Sequence, residues 1–378
     1  MNKTSKPVAS CRRVCCLLAA FLLLLPWWGP AQAQEVMGWL QDGHRSAADV
    51  ATDGAELLTL EPGEMEMYPH ISPDGKYLLV VSGKSRKPVV SRRLTENGDP
   101  VNLVSDYDPL LPDSIAWHGD AAVTFLSERA DSLGLWVKPV GGGVIRRLFR
   151  LEGELRNPIV LDDGSMIAVH LRTVSSHLAA TGRKASAAVF NNWHRPGYES
   201  SLVRIDPAGA EQQLSAGDSP ALSPDGRRLA FSMQNGRSRH LFIMNVDGSG
   251  LIQLTQGGFV DVQPTWSPDS KWVAFTSNRG RFAHDAAAEK LKRAGKTNWD
   301  IWRIGADGRG LTRLTRDPAR DGAPTIAANG NVYFHSDRRI SKHMRALHQV
   351  QGRVKGFHIW RIATTPADES IAEGDLAR

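Results

Sequence analysis

Three stretches of the 378-residue chain share one pattern: YPHISPDGKYLLV at residues 68–80, SPALSPDGRRLAF at 219–231 and QPTWSPDSKWVAF at 263–275. In each, Ser-Pro-Asp-Gly or a close relative follows an apolar residue and precedes a run of β-forming residues. Pro and Asp-Gly favour tight turns, so the pattern predicts two antiparallel strands joined by a turn. Weaker copies are IAWHGDAAVTF at 115–125, NPIVLDDGSMIAV at 157–169 and APTIAANGNVYF at 323–334.

A second hairpin follows most copies, as in LFIMNVDGSGLIQLT at 241–255 and IWRIGADGRGLTRLT at 301–315. Equivalent positions in successive copies lie 43 to 46 residues apart, except across two intervals of 62 and 60 residues that contain insertions. This period matches the four-stranded blade of a β-propeller, whose radial packing leaves only short strand edges. The sequence therefore predicts an all-β fold, a six-bladed β-propeller of four-stranded antiparallel blades.

The last copy lacks its Leu-Thr strand, and a matching segment occurs near the start of the repeats. The sequence AELLTLEPG at 55–63 contains Leu58-Thr59, which corresponds to Leu254-Thr255 and Leu314-Thr315. We expect this N-terminal strand to complete the last blade and to close the ring. The alternative is a loose N-terminal strand.

The Ser-Pro-Asp-Gly strand with its Asp-Gly hairpin and Leu-Thr ending resembles the TolB-type β-propeller repeat, over about residues 55–362. TolB proteins place an α/β domain before the propeller, whereas about 20 residues separate Gln34 from the first repeat-like strand here. The resemblance thus implies a relative lacking that domain. We expect a lead-in at 34–54, a propeller at 55–362 with blades beginning near residues 66, 112, 156, 218, 262 and 322, and a mobile acidic tail at 363–378.

Residues 1–33 have the order of a cleavable signal peptide. Four basic residues precede the apolar run LLAAFLLLLPWW at 17–28, and Ala31-Gln32-Ala33 supplies small residues for cleavage. Arg12-Arg13 permits a twin-arginine reading, but the flanking residues fit a Sec signal better. The pattern predicts a periplasmic or secreted protein without a transmembrane segment in the mature chain.

Composition and motifs exclude several functions. All 3 cysteines lie in the signal segment, so disulfides and a cysteine nucleophile are excluded from the mature chain. Without the four basic residues of that segment, the chain has 42 Lys and Arg and 40 Asp and Glu. A net charge this close to zero does not indicate a nucleic-acid-binding surface. The chain contains no Gly-x-Ser-x-Gly, His-Glu-x-x-His, EF-hand, phosphate-binding loop or Rossmann pattern. We predict no cofactor; the oligomeric state is not encoded in these patterns.

Three insertions, at 172–200, 278–299 and 336–356, follow second strands and should project from one rim, the insertion face. They are basic and contain histidines and aromatic residues. The turn face, which carries the Ser-Pro-Asp-Gly turns, is opposite. Alternate residues of the innermost strands should line the channel, in one row with Tyr68, Ser114, Asn157, Ser219, Gln263 and Ala323. A second row contains His70, Ala116, Ile159, Ala221, Thr265 and Thr325.

These features favour a non-enzymatic module that binds a protein or anionic polymer of the cell envelope. The candidate binding residues are Tyr68, His70, Asn157, Gln263, Arg183, His194, Arg195, Tyr198, Arg281, His284, His335, Arg338, Arg339 and His343. The loops could instead be ordinary solvated surface. A second hypothesis is a metal-dependent lyase or hydrolase that acts on an anionic saccharide at the channel mouth, with His70 and loop histidines as ligands.

Overall fold

The structure is a computed structural model. It describes residues 53–61, 63, 65–83, 89–94, 101–104, 114–129, 132–176, 190–193, 195–282, 298–351, 354 and 356–364, with backbone alone at 82–83, 89–94, 101–102, 104 and 281–282. The predicted signal peptide, most of the lead-in and tail, and large parts of the insertions lie outside these ranges. Within them, no helix is long and apolar enough to cross a membrane.

The described residues form six four-stranded antiparallel sheets. The fold is an all-β propeller of four-stranded antiparallel blades. Sheets I to III follow one another along the chain. Sheet I contains β2 (Met65–Ile71), β3 (Tyr77–Gly83), β4 (Val89–Leu94) and β5 (Val101–Val104). Sheet II contains β6 (Ala116–His118), β7 (Ala122–Ser127), β8 (Gly134–Pro139) and β9 (Arg146–Arg150). Sheet III contains β10 (Glu154–Val160), β11 (Met166–Thr173), β12 (Tyr198–Ile205) and β13 (Glu211–Ala216).

Sheets IV to VI continue the repeat, and the last one includes the first strand of the chain. Sheet IV contains β14 (Asp218–Leu222), β15 (Arg228–Asn235), β16 (Ser238–Asn245) and β17 (Ile252–Gln253). Sheet V contains β18 (Asp261–Trp266), β19 (Trp272–Ser277), β20 (Asp300–Gly305) and β21 (Thr312–Arg313). Sheet VI contains β22 (Asp321–Ile326), β23 (Asn331–Ser336), β24 (His358–Ala363) and β1 (Glu56–Leu57). A 3₁₀ helix spans Arg279–Phe282, and α1 spans Lys342–Leu347.

The core consists of hydrophobic clusters, most of which join two successive sheets. One larger cluster combines Met67 of sheet I and Phe125 of sheet II with Phe190, Trp299 and Phe357. Leu126 and Phe149 of sheet II, for example, pack with Leu155 and Met166 of sheet III. The cluster with Leu78 of sheet I and Tyr333 of sheet VI joins the first sheet to the last. Residues that alternate along each strand thus bury their apolar side chains between blades.

The Ser-Pro-Asp turns hold the two inner strands of their sheets together. Ser72 Oγ donates to Asp74 at 2.7 Å and accepts the Tyr77 N–H at 2.9 Å. The same pair of bonds links Ser223 to Asp225 and Arg228. Gly226 and Gly308 have φ of 70° and 82°, as the predicted turn geometry requires.

The predicted pairing of the N-terminal strand with the last sheet is confirmed. Strand β1 pairs antiparallel with β24, with Glu56 opposite Arg361 and Leu57 opposite Trp360. Thr59 Oγ1 accepts the Ile359 N–H at 3.2 Å. The equivalent hydroxyls of Thr255 and Thr315 accept backbone N–H groups of β16 and β20, both at 2.9 Å. This shared bond explains why Leu-Thr recurs at the outer strand.

Removing the closing strand should destabilise the fold. Deletion of residues 1–61 exposes the β24 edge and uncovers Trp360, which is 1% exposed in the intact chain. We expect the Tm in differential scanning calorimetry to fall by about 10 °C or more, because several kcal/mol of packing are lost. Deletion of residues 1–52, which retains β1, is the matched control and should leave the Tm nearly unchanged. Equal Tm values for the two deletions would contradict the closing role of β1.

Candidate functional site

Five of the six inner strands share a kink at the channel. Their residues at the position before proline have left-handed φ values between 46° and 53°: Tyr68, Asn157, Ser219, Gln263 and Ala323. Such values are uncommon outside glycine and cost on the order of 1–3 kcal/mol each. At each of them the pairing with the second strand shifts register. In sheet II, Ile115 takes the place of proline, and strand β6 pairs without a shift.

These kinks surround a cavity of about 230 Å³ on the channel. The lining includes both predicted rows apart from Ser114, which is fully buried. All of the lining side chains are uncharged at neutral pH, and five of the lining residues are prolines. Burial lowers the pKa of His70 to about 4, so this channel histidine is neutral. A second cavity, of about 840 Å³, shares Ala116, Ile159, Leu222, Thr265 and Thr325 with the first and is lined by turn-face residues.

A short segment between β11 and β12 lies at the insertion-face end of the channel. We call residues 190–193 the plug. The Phe190 ring stacks on Phe357 with centroids 5.6 Å apart, and Trp193 packs on Trp299 at 5.1 Å. Asn192 lines the cavity, and its Oδ1 accepts a hydrogen bond from Gln263 at 3.3 Å. Aromatic side chains that precede β12, β20 and β24 thus pack together at the insertion-face end of the channel.

His335 lies below the plug and is fully buried. Its Nδ1 accepts the N–H of the left-handed Tyr68 at 3.2 Å, and its ring contacts Phe190 and Phe357 edge-on. Burial, with the nearby positive charge of Arg320, lowers the pKa of His335 to about 3. A neutral, covered imidazole cannot meet an anionic partner directly, so its predicted role as a contact residue needs correction: it joins sheets VI and I.

Arg338 was also predicted to bind a partner, and it is instead neutralised inside the protein. Its guanidinium donates to Asp53 Oδ1 at 2.7 Å and to Asp321 Oδ2 at 2.6 Å, with the Arg338 and Asp53 side chains 1% exposed. Burial would lower the pKa of Arg338, but the two carboxylates raise it. The ion pairs anchor the start of the 338–347 segment, which ends in α1.

Similar buried pairs occur at the same end of sheet V. Arg279 donates to Asp261, and Arg313 lies 3.0 Å from Asp300 Oδ2. Gly280 leaves room for the second pair, since a Cβ there would lie 1.8 Å from that oxygen. Buried arginines are therefore structural cations here, and exposed basic residues must be distinguished from them.

The remaining candidates fall into two groups. Arg195, Arg339 and His343 have exposed side chains at the insertion face, whereas the Tyr198 hydroxyl donates to Glu154 at 3.2 Å. Arg183, His194 and His284 lie outside the described residues, and only the backbone of Arg281 is described, in the 3₁₀ helix. Within the described ranges, no group of three or more His, Cys, Asp or Glu is arranged to hold a metal ion.

Comparisons with known proteins agree with this architecture. Residues 210–284 match the model of the TolB β-propeller domain. The Tol-Pal system protein TolB of Anaeromyxobacter dehalogenans (strain 2CP-C) is 38% identical over 69 residues, 18% of this chain and 15% of that protein. Dipeptidyl-peptidase 5 of Porphyromonas gingivalis is 38% identical over 73 residues, 18% of this chain and 11% of that protein. The matches thus span well under a fifth of each relative.

A solved structure extends the likeness across most of the chain. Regucalcin, a calcium-binding protein from Agrobacterium tumefaciens strain C58, superposes with a TM-score of 0.50 at 12% identity. The alignment covers 82% of this chain and 92% of regucalcin. At this identity the likeness shows the fold alone.

The buried His335 makes a testable contribution to the pH dependence of stability. Its pKa is about 3 in the folded state and about 6.5 when unfolded, so the unfolded chain binds the proton more tightly. The contribution of neutral His335 to the free energy of unfolding is fully present above pH 6.5, and it is lost as the pH falls towards 3. From pH 6.5 to 5 the loss should be about 2 kcal/mol.

The variant His335→Asn retains an acceptor for the Tyr68 N–H but has no titrating ring. Urea denaturation at pH 7 and pH 5 should show that the free energy of unfolding falls by about 2 kcal/mol more for the wild type than for the variant. Identical pH dependence in both proteins would contradict a buried neutral His335.

Proposed function

We propose that this chain is an exported, non-enzymatic binding module, and that its six sheets form a single six-bladed ring. The order of the sheets, the pairing of β1 with β24 and the cluster between sheets VI and I support the ring. The basic run and small residues at 1–33 support export to the periplasm. The partner is an acidic protein surface or an anionic polymer of the cell envelope.

The observation that carries this proposal is the anchored basic segment at the insertion face. Ser341 caps α1 by accepting the Met344 N–H at 3.0 Å, and Arg338 fixes the segment from inside. The side chains of Arg339, Lys342 and His343 are exposed around this anchor. A positive surface held on a rigid support attracts anions without the full entropy cost of ordering a loop.

Charge reversal on the two faces tests the proposal. We expect Arg339→Glu with Lys342→Glu to weaken binding to polyglutamate or polygalacturonate by about tenfold at 0.1 M salt, measured by biolayer interferometry. The effect should shrink at 1 M salt, where the Debye length is about 3 Å. The matched control reverses Arg227 and Arg309, which are exposed beside the Asp-Gly turns on the turn face.

The double variant at Arg227 and Arg309 has the same number of charge reversals, and it should bind the polyanions as tightly as the wild type does. Equal losses in both double variants would indicate nonspecific attraction. Loss in the control alone would move the binding site to the turn face.

A further inference from the structure

Arg156 of sheet III and Arg239 of sheet IV both interact electrostatically with one buried carboxylate, that of Asp218. Arg156 lies 3.4 Å from Asp218 Oδ1, and these side chains are 5% and 2% exposed. Asp218 pairs with Ser232 on β15, and Arg239 pairs with Gln234, two residues further along the same strand. Strands β14 and β16 therefore bring Asp218 and Arg239 to the same end of the sheet.

Arg239 is the cation that this arrangement leaves uncompensated. Its Nη1 is buried and has no hydrogen-bond acceptor among the residues that the structure describes. Burial lowers the pKa of Arg239, and the positive charge of Arg156 lowers it further, while Asp218 acts in the opposite direction. The other buried arginines nearby, Arg279 and Arg338, each have carboxylate partners within hydrogen-bond distance. A buried guanidinium N–H without an acceptor is costly, and it indicates a group that is supplied from outside.

We propose that Arg239, with Arg156 beside it, binds the carboxylate of an acidic side chain from a protein partner. This inference rests on the proposed function, because it names the chemical group that the basic face recognises. A guanidinium is the donor best suited to a carboxylate, through its planar arrangement of N–H groups. The position of Arg156 is fixed, since its Nη1 also donates to the plug through the Asn192 carbonyl at 3.0 Å.

The burial of the Arg239 Nη1 favours anions whose carboxylate is carried on a narrow group. Arg239 is half-buried, so the free donor lies below the surface. A glutamate carboxylate stands at the end of a slender two-carbon stem, so it needs only a narrow opening to approach such a donor. The carboxylate of a uronic acid is attached directly to a sugar ring, whose bulk would meet the surface first. A buried donor therefore favours an acidic side chain over an anionic polysaccharide.

The test measures binding of blocked peptides to the full chain by isothermal titration calorimetry at constant ionic strength. Acetyl-Gly-Glu-Gly-amide should bind at least about tenfold more tightly than acetyl-Gly-Gln-Gly-amide and than galacturonate. Arg239→Gln should weaken binding of the Glu peptide at least about tenfold. Arg237→Gln is the matched control, because Arg237 is exposed on the same hairpin, and it should bind within about twofold of the wild type.

A second measurement separates a ligand site from an internal ion pair. Without peptide, Arg239→Gln should have a Tm equal to or above that of the wild type, because it removes an uncompensated buried charge. A clearly lower Tm would show that Asp218 already neutralises Arg239 and would overturn the inference. Tighter binding of galacturonate, or unchanged binding of the Glu peptide to Arg239→Gln, would overturn it too.

The two proposals fail separately. If the Glu peptide shows no dependence on Arg239 while the reversals at Arg339 and Lys342 still weaken polyanion binding, the binding face stands and this site is wrong. If the reversals have no effect while the Glu peptide depends on Arg239, the proposed basic segment is wrong and the carboxylate site stands.

Discussion

The kink before each channel proline imposes a constraint on the neighbouring sheets. A left-handed residue turns its N–H out of the strand ladder, and a buried N–H needs an acceptor. In sheet I the Tyr68 N–H is accepted by His335 of sheet VI. In sheet VI the Ala323 N–H is accepted by Gln263 and Thr276 of sheet V, at 2.8 and 3.1 Å. Side chains of one blade thus complete the backbone of the next, which fixes the geometry around the channel.

This constraint also determines which end of the molecule can recognise a charged partner. His335 must remain neutral and buried to accept the Tyr68 N–H, and the plug covers it. The uncharged lining of the channel leaves charge recognition to the ends of the sheets. At the insertion-face end most buried arginines are neutralised by Asp261, Asp300, Asp321 or Asp53. The exposed residues around α1 and Arg239 are therefore the residues that we propose for contact with a partner.

Local patterns in the sequence predicted the parts of the fold that depend on local chemistry. The Ser-Pro-Asp turns, the four-stranded unit and the closing strand follow from turn residues and from Leu58-Thr59. The rows of channel residues followed from strand alternation. The left-handed kinks also have a signal in the sequence, because proline follows the kinked residue in five of the six copies. The two-residue alternation of a strand does not reveal these kinks.

The site residues were harder to predict because charge partners come from distant parts of the chain. Arg338 and Arg339 are neighbours in a basic loop, yet one is buried against Asp53 and the other is exposed. The plug crosses from sheet III to Phe357 and Trp299, far away in sequence. Arg239 stood out neither by motif nor by position, because its lack of an acceptor exists only in the folded structure.

Hydrogen exchange with and without polyglutamate tests most directly whether an acidic partner meets the insertion face. We expect slower exchange at residues 190–193, 238–240 and 338–347, and unchanged exchange at the turns 72–75, 223–226 and 267–270. Protection of the turns, with none at the insertion face, would contradict it.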